Sequence, residues 1–216
     1  MTSFHLFDKP QCPFCWKIRL ALVFNHIEWD STTIDTNQKP DVLFKLNPRG
    51  TVPVLLVDDK VITDSVDIIN HIARLPNVNK SFASEAALSL QSYSDNVIGV
   101  AIRYAIFMRR DQPESNWDPT VLDACQDKWI AILAHLNATF KGPWFLGDRP
   151  TVADCALIPR FALAGYFGLT GVCNFAPLKI WFNSVLSSGL IEKTGPRDFQ
   201  KILVNRAKQC GETLGD

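Results

Sequence analysis

Cys12-Pro13-Phe14-Cys15 lies between a short apolar segment, Phe4-His5-Leu6-Phe7, and an apolar helical pattern that runs from Trp16 to Phe24. The segment predicts a strand, and the motif then opens a helix. Cys12 falls at the N-cap and Pro13 at the first helical position, where a missing N–H costs nothing. A thiol at a helix start meets unpaired amide hydrogens and the positive end of the macrodipole, and both favour thiolate over thiol. Cys15, three residues on, shares the same helical face and lies within reach of a disulfide. The spacing predicts a thiol–disulfide site with Cys12 as nucleophile and Cys15, one turn further in and less exposed, as resolving thiol.

Working outward, strand and helix alternate. Glu28 to Ile34 is β-branched and alternating and predicts a second strand. A short helix follows Lys39-Pro40, over Asp41 to Leu46, and Asn47-Pro48-Arg49-Gly50 is turn chemistry. Val52 to Val57 predicts a buried strand, although Pro53 cannot donate to its ladder. Asp58-Asp59 turns into Lys60-Val61-Ile62, so a hairpin is expected. Asp64-Ser65 starts a helix from Val66 to about Ala73. This order predicts a small mixed sheet with helices on its faces over residues 1–76.

The polar stretch Leu75 to Lys80 is the linker candidate, and an all-α domain is expected over residues 82–216. Its helices are predicted at Phe82 to about Arg110, Pro119 to Phe140, Thr151 to about Phe167, Leu178 to Leu186 and Arg197 to Gln209. Thr151-x-x-Asp154 is a capping signal, so both residues are assigned to structure.

Composition bounds the function. Of 216 residues, 47% are hydrophobic and 20% charged, which supports ordered cores. The formal net charge of zero supplies no global field toward nucleic acid or anionic lipid. No uninterrupted apolar run is long enough to span a bilayer. The first residues lack the basic and apolar regions of a signal peptide, so a cytoplasmic location is expected. In that reducing compartment Cys125, Cys155 and Cys173 are expected to be small buried hydrophobes, with Cys210 exposed and incidental. No second C-x-x-C exists, and His5, His26 and His71 form no ligand motif, so no metal is expected.

Taken together, Cys12-Pro13-Phe14-Cys15, Thr51-Val52-Pro53-Val54-Leu55, Asp64-Ser65 and Gly147-Asp148-Arg149-Pro150-Thr151-Val152-Ala153-Asp154 resemble the cytosolic glutathione transferases over essentially the whole chain. The resemblance implies a thioredoxin-like α/β N-terminal domain joined to an all-α C-terminal domain, a homodimer, and glutathione as cosubstrate. The cysteines and Lys39-Pro40 point to the omega-like, cysteine-dependent branch. Omega-type enzymes usually carry alanine where this chain has Cys15. The C-P-F-C dithiol resembles glutaredoxins instead, which leaves monothiol and dithiol routes open.

The resemblance also assigns residues. Pro53 is expected to be cis, with the backbone of Val52 pairing with the cysteinyl unit of glutathione. Asp64 and Ser65 are expected at the γ-glutamyl head group, where Ser65 would bind its α-carboxylate and Asp64 face its ammonium. Lys39 is expected at the glycyl carboxylate and Phe14 beside the thiol. Tyr104, Phe107, Met108, Trp117 and Tyr166 are candidates for a second-substrate pocket, although an aromatic stripe at helical spacing also suits a core. Arg103, Arg109 and Arg110 flank a cleft or form a solvated face.

Three functions remain at this stage. The first is a thiol transferase or disulfide reductase, with dehydroascorbate reduction as a side activity. The second is conjugation of glutathione to electrophiles. The third is a non-catalytic redox-responsive binding protein, since intracellular chloride channel proteins have a similar fold and cysteine site.

Overall fold

The computed structural model describes residues 2–209. Its chain contacts divide into two compact units at Glu85–Ala86. The first has the order β1 (Phe4–Asp8), α1 (Pro13–Phe24), β2 (Asp30–Thr33), α2 (Asp41–Leu46), β3 (Val54–Val57), β4 (Lys60–Thr63) and α3 (Ser65–Ala73). The strands form one sheet in the order β2-β1-β3-β4. β1 runs parallel to β2, with Leu6 opposite Ser31, which is the crossover that α1 makes possible. β3 runs antiparallel to both β1 and β4, with Leu6 opposite Leu55 and Leu55 opposite Ile62.

Both sheet faces are covered. Phe7, Ile34 and Val54 cluster with Leu43 of α2. Leu6 and Leu55 are fully buried, and successive strand residues point to opposite faces, so the other face is also packed. α1 and α3 pack together, and their Ile18, Leu22, Ile68 and Ile72 are fully buried. β3 begins at Val54, two residues later than the apolar pattern predicts, because Pro53 has no N–H for the ladder. The hairpin turn is at Asp58, which takes φ 50°.

The second unit is helical: α4 (Glu85–Tyr93), α5 (Gly99–Asp111), α6 (Pro119–Thr139), α7 (Val152–Tyr166), α8 (Ala176–Ser187), α9 (Leu190–Thr194) and α10 (Phe199–Gln209). α7 is its centre, with every residue from Val152 to Ala164 buried. Thr151 and Asp154 form the expected capping box. Asp154 also accepts from the backbone N–H of Phe145 at 2.8 Å and from Trp181 Nε1 at 3.2 Å, so one carboxylate ties a loop and α8 to the start of α7.

Three expectations need correction. The single helix over Phe82 to Arg110 is interrupted by a π-helical turn at Ser94–Ile98, between α4 and α5. α9 was not expected at all; its five residues are too few to show a period. Cys173 is half-buried and disulfide-bonded, not a small buried hydrophobe. Cys125 and Cys155 are buried as expected and in no disulfide, and Cys210 lies outside the described residues.

Candidate functional site

The tip of β1 and the start of α1 position the two cysteines. Cys12 is the N-cap of α1, with φ −76° and ψ 118°, and Pro13 occupies the first turn. The N–H of Cys12 donates to the carbonyl of Lys9 at 3.0 Å, and its carbonyl accepts from Trp16 at 2.9 Å. Cys12 is half-buried, and Cys15 is fully buried. Neither is in a disulfide. Burial pushes the Cys15 thiol well above its ordinary value, and its hydrogen bond to Cys12 and the Asp8 carboxylate push it further. The proton therefore stays on Cys15 and is shared toward Cys12, the acceptor, at the positive end of α1.

A buried ion pair braces this corner. Asp8, at the end of β1, is 4% exposed, and Arg19, one turn beyond Cys15, is 8% exposed. Arg19 donates through Nη1 to Asp8 and through Nη2 to the carbonyl of Pro10 at 2.7 Å. The guanidinium thus ties together the strand end, the helix and the loop that leads to Cys12. Lys17 is also buried, its Nζ 5.5 Å from the ring centroid of Phe14. The sequence shows Lys17 and Arg19 only as charges interrupting an apolar helix. Their signal is that Cys15 and Arg19 share the buried face at i and i+4.

In the turn that leads into β3, the Val52–Pro53 peptide bond is cis, as expected. Val52 lies outside β3, and among the described residues neither its N–H nor its carbonyl has a backbone partner. At the start of α3, Asp64 takes φ 90°, a region uncommon for residues other than glycine. Its Oδ1 caps the N–H of Val66 at 2.9 Å, which leaves Oδ2. Ser65, at the first helical position, is 7% exposed, and its N–H is one of the orphan donors of the helix start. Lys39 is exposed, directly before α2. All eight residues assigned to the cysteine and glutathione sites thus lie in the first unit.

The second-substrate candidates divide. Val100, Tyr104 and Phe107 share a face of α5, with Tyr104 57% and Phe107 48% exposed. Arg103 lies over the Tyr104 ring and Arg110 over the Phe107 ring. At the next loop, Met108 accepts from the N–H of Asp118, and Arg109 covers the indole of Trp117. Tyr166 is apart from these, stacked on Phe199 of α10 at 3.8 Å. Among the described residues no cluster of three His, Cys, Asp or Glu side chains is placed to hold a metal, and no helix is long and apolar enough to cross a membrane.

Residues 11–75 match the profile of the glutathione S-transferase N-terminal domain, and residues 119–167 match that of its C-terminal domain. The chain belongs to the cytosolic glutathione transferase superfamily. Among curated relatives, it is 26% identical over 168 residues to chloride intracellular channel protein 3 of Homo sapiens, covering 69% of this chain and 67% of that one. It is also 26% identical over 150 residues to the probable glutathione S-transferase DHAR1, cytosolic, of Oryza sativa subsp. japonica, covering 69% and 65%. The chain thus spans about two thirds of the length of these relatives. A crystal structure of a glutathione transferase homolog from Drosophila mojavensis, with bound glutathione, superposes with a TM-score of 0.77 at 18% identity, covering 97% of this chain and 98% of that one. That likeness places the glutathione transferase fold on the whole described chain.

Proposed function

We propose that this glutathione transferase is a glutathione-dependent thiol transferase and disulfide reductase of the cysteine-dependent, omega-like kind, acting through Cys12. One observation carries the proposal. At the N-cap where the fold exposes helix-start amides, the chain places a half-buried thiol that accepts a hydrogen bond from a second, fully buried thiol. A thiolate at that position attacks sulfur; a hydroxyl there would only donate a hydrogen bond to it.

The cycle balances with glutathione alone. Cys12 thiolate attacks a mixed disulfide of glutathione and a second thiol, forms a Cys12–glutathione disulfide and expels the second thiol. A glutathione thiolate then attacks the bound glutathionyl sulfur, releases oxidised glutathione and regenerates Cys12. On the dithiol route, Cys15 loses its proton and attacks Cys12 instead, closing Cys12–Cys15 and expelling glutathione.

The proposed tripeptide site uses the free edge of Val52 for the cysteinyl backbone, as an added strand does. Ser65 N–H and hydroxyl take the γ-glutamyl carboxylate at the start of α3, and Asp64 faces the ammonium. Lys39 faces the glycyl carboxylate, and Phe14 and Pro53 flank the sulfur. Support comes from the unpaired backbone of Val52, from the helix-start N–H of Ser65 and from a similar structure that holds glutathione.

Steady-state rates test the proposal. Reduction of a small glutathione mixed disulfide is expected to outpace conjugation to a chlorinated aromatic. Cys12→Ser abolishes the reduction. Conjugation that dominates in the native protein and survives in Cys12→Ser would instead assign a detoxifying transferase. A second readout is intact mass after exposure to oxidised glutathione, with an acid quench. Because burial holds Cys15 above its ordinary value, conversion of the Cys12 adduct into the Cys12–Cys15 disulfide is expected to accelerate with pH to beyond about 8.5, the value of a free thiol. A closure rate already flat at neutral pH would contradict that ordering of the two thiols.

A further inference from the structure

The second unit contains a cavity of about 310 Å³ between α7, α8 and α10. Phe161, Leu169, Phe182, Leu186 and Leu203 line it, and each is less than 10% exposed. The volume is at the lower end for small-molecule sites, which hold roughly 300–1,000 Å³. An apolar chamber of this kind binds an apolar body; what the body carries is set by the polar groups at the wall.

The wall carries two cations, Lys179 of α8 and Arg206, and Arg109 stands behind Gly168. Arg206 of α10 lines the cavity and donates through Nη1 to the carbonyl of Gly165, while Arg109 of α5 donates through Nη1 to the carbonyl of Phe167. Both carbonyls belong to the end of α7, where a cation suits the helix dipole. The dipole, however, supplies only about half a negative charge there. The two guanidinium groups also converge on Gly168, whose missing Cβ position lies 2.8 Å from Arg109 Nη1 and 3.8 Å from Arg206 Nη1. A side chain at 168 would collide with Arg109, so glycine lets the two arginines meet. Among the described residues neither has a carboxylate partner, and Arg109 Nε is buried without any partner. Burial and the nearby Arg206 charge both push the Arg109 guanidinium below its ordinary value. Two positive charges therefore share one half-charge beside an apolar chamber, and the unbalanced excess favours an anion.

We infer that this cavity binds a small amphipathic carboxylic acid, its aryl or alkyl body among Phe161, Phe182 and Leu186 and its carboxylate on Arg206. Carboxylate and guanidinium match as a planar, bidentate pair, which favours this class over a compact inorganic anion. The site lies wholly within the second unit and does not depend on the function proposed for Cys12.

The test uses the full chain with glutathione present in excess, so that the first unit is saturated, and 4-phenylbutanoate and its neutral amide as probes. Calorimetry is expected to give the acid a dissociation constant about tenfold or more below that of the amide. Arg206→Gln is expected to remove most of the acid's preference without moving the amide, the remainder resting on Lys179, and Arg206→Lys to keep more of it. Arg206 is exposed, so both variants should fold. Methyl resonances of Leu186 and Leu203 should shift with the acid in the native protein. Equal binding of acid and amide, no binding of either, a preference undiminished by Arg206→Gln, or shifts confined to other methyl groups would each overturn the inference.

Discussion

Asp8 and Arg19 form a buried ion pair beside Cys15. A carboxylate near a buried thiol opposes its ionisation, and the guanidinium holds that carboxylate in place while fixing the Pro10 carbonyl of the loop that leads to Cys12. Asp8→Asn removes the opposing charge and leaves the Arg19 cation beside Cys15. Loss of the Asp8 charge lowers the Cys15 value, so the alkaline rise in Cys12–Cys15 closure is expected to move to lower pH. Stability is expected to fall as well, by about 3–5 kcal/mol, because a buried guanidinium loses its partner. The two effects are separable: denaturant unfolding reads the second, and acid-quenched mass spectrometry across pH reads the first. An unshifted closure profile in a folded variant would show that Asp8 only braces the loop. This pair also marks where sequence stops being informative at the scale of a residue. Cys12, Cys15, Asp64 and Ser65 are legible because a helix start gives each its role locally. Asp8 and Arg19 are eleven positions apart, and only the return of α1 along β1 makes them partners.

At the scale of elements, hydrophobic period and turn chemistry show most of the first unit. Asp58-Asp59 marks the β3–β4 hairpin, and Pro53 announces where β3 cannot yet pair. In the helical unit, the period shows that helix is present but not that it is interrupted. The buried positions Leu90, Ser94, Ile98 and Ile102 recur every four residues, not every 3.6. A π-helical turn at Ser94–Ile98 accommodates that wider spacing and keeps the stripe on one side. The turn also directs Asp95 toward Arg160 of α7, at 3.5 Å and almost fully buried. Gly99, which follows it, has no room for a side chain: a Cβ would lie 2.8 Å from the Arg160 guanidinium. Alanine favours an exposed helix over glycine by about 1 kcal/mol. Here the order is expected to reverse, with Gly99→Ala destabilising by about 1–3 kcal/mol, since Arg160 is enclosed and cannot step aside. Chemical denaturation of the variant measures it. A neutral or stabilising result would mean that Arg160 repacks without losing Asp95.

For the molecule as a whole, the two ligand chemistries separate along the chain. Every residue assigned to glutathione lies between Cys12 and Ser65, in the first unit, and every residue assigned to the carboxylic acid lies in the second. Both proposed ligands would bind the folded state, so each would stabilise it in proportion to the logarithm of its concentration over its dissociation constant. Bulk melting therefore cannot tell the sites apart, but local opening can, because amides exchange through fluctuations that differ between segments. Amide hydrogen exchange with glutathione bound is expected to slow at residues 11–16, 51–54 and 64–68. With 4-phenylbutanoate bound it is expected to slow at the end of α7, in the loop over residues 167–173 and in α10. Glutathione-dependent protection that extends into α5, around Tyr104 to Met108, would show that the second unit also contributes to the tripeptide site or to the substrate beside it. Protection by glutathione that is absent from residues 51–54 would remove Val52 from the site, since its unpaired N–H is the donor the bound cysteinyl unit must occupy.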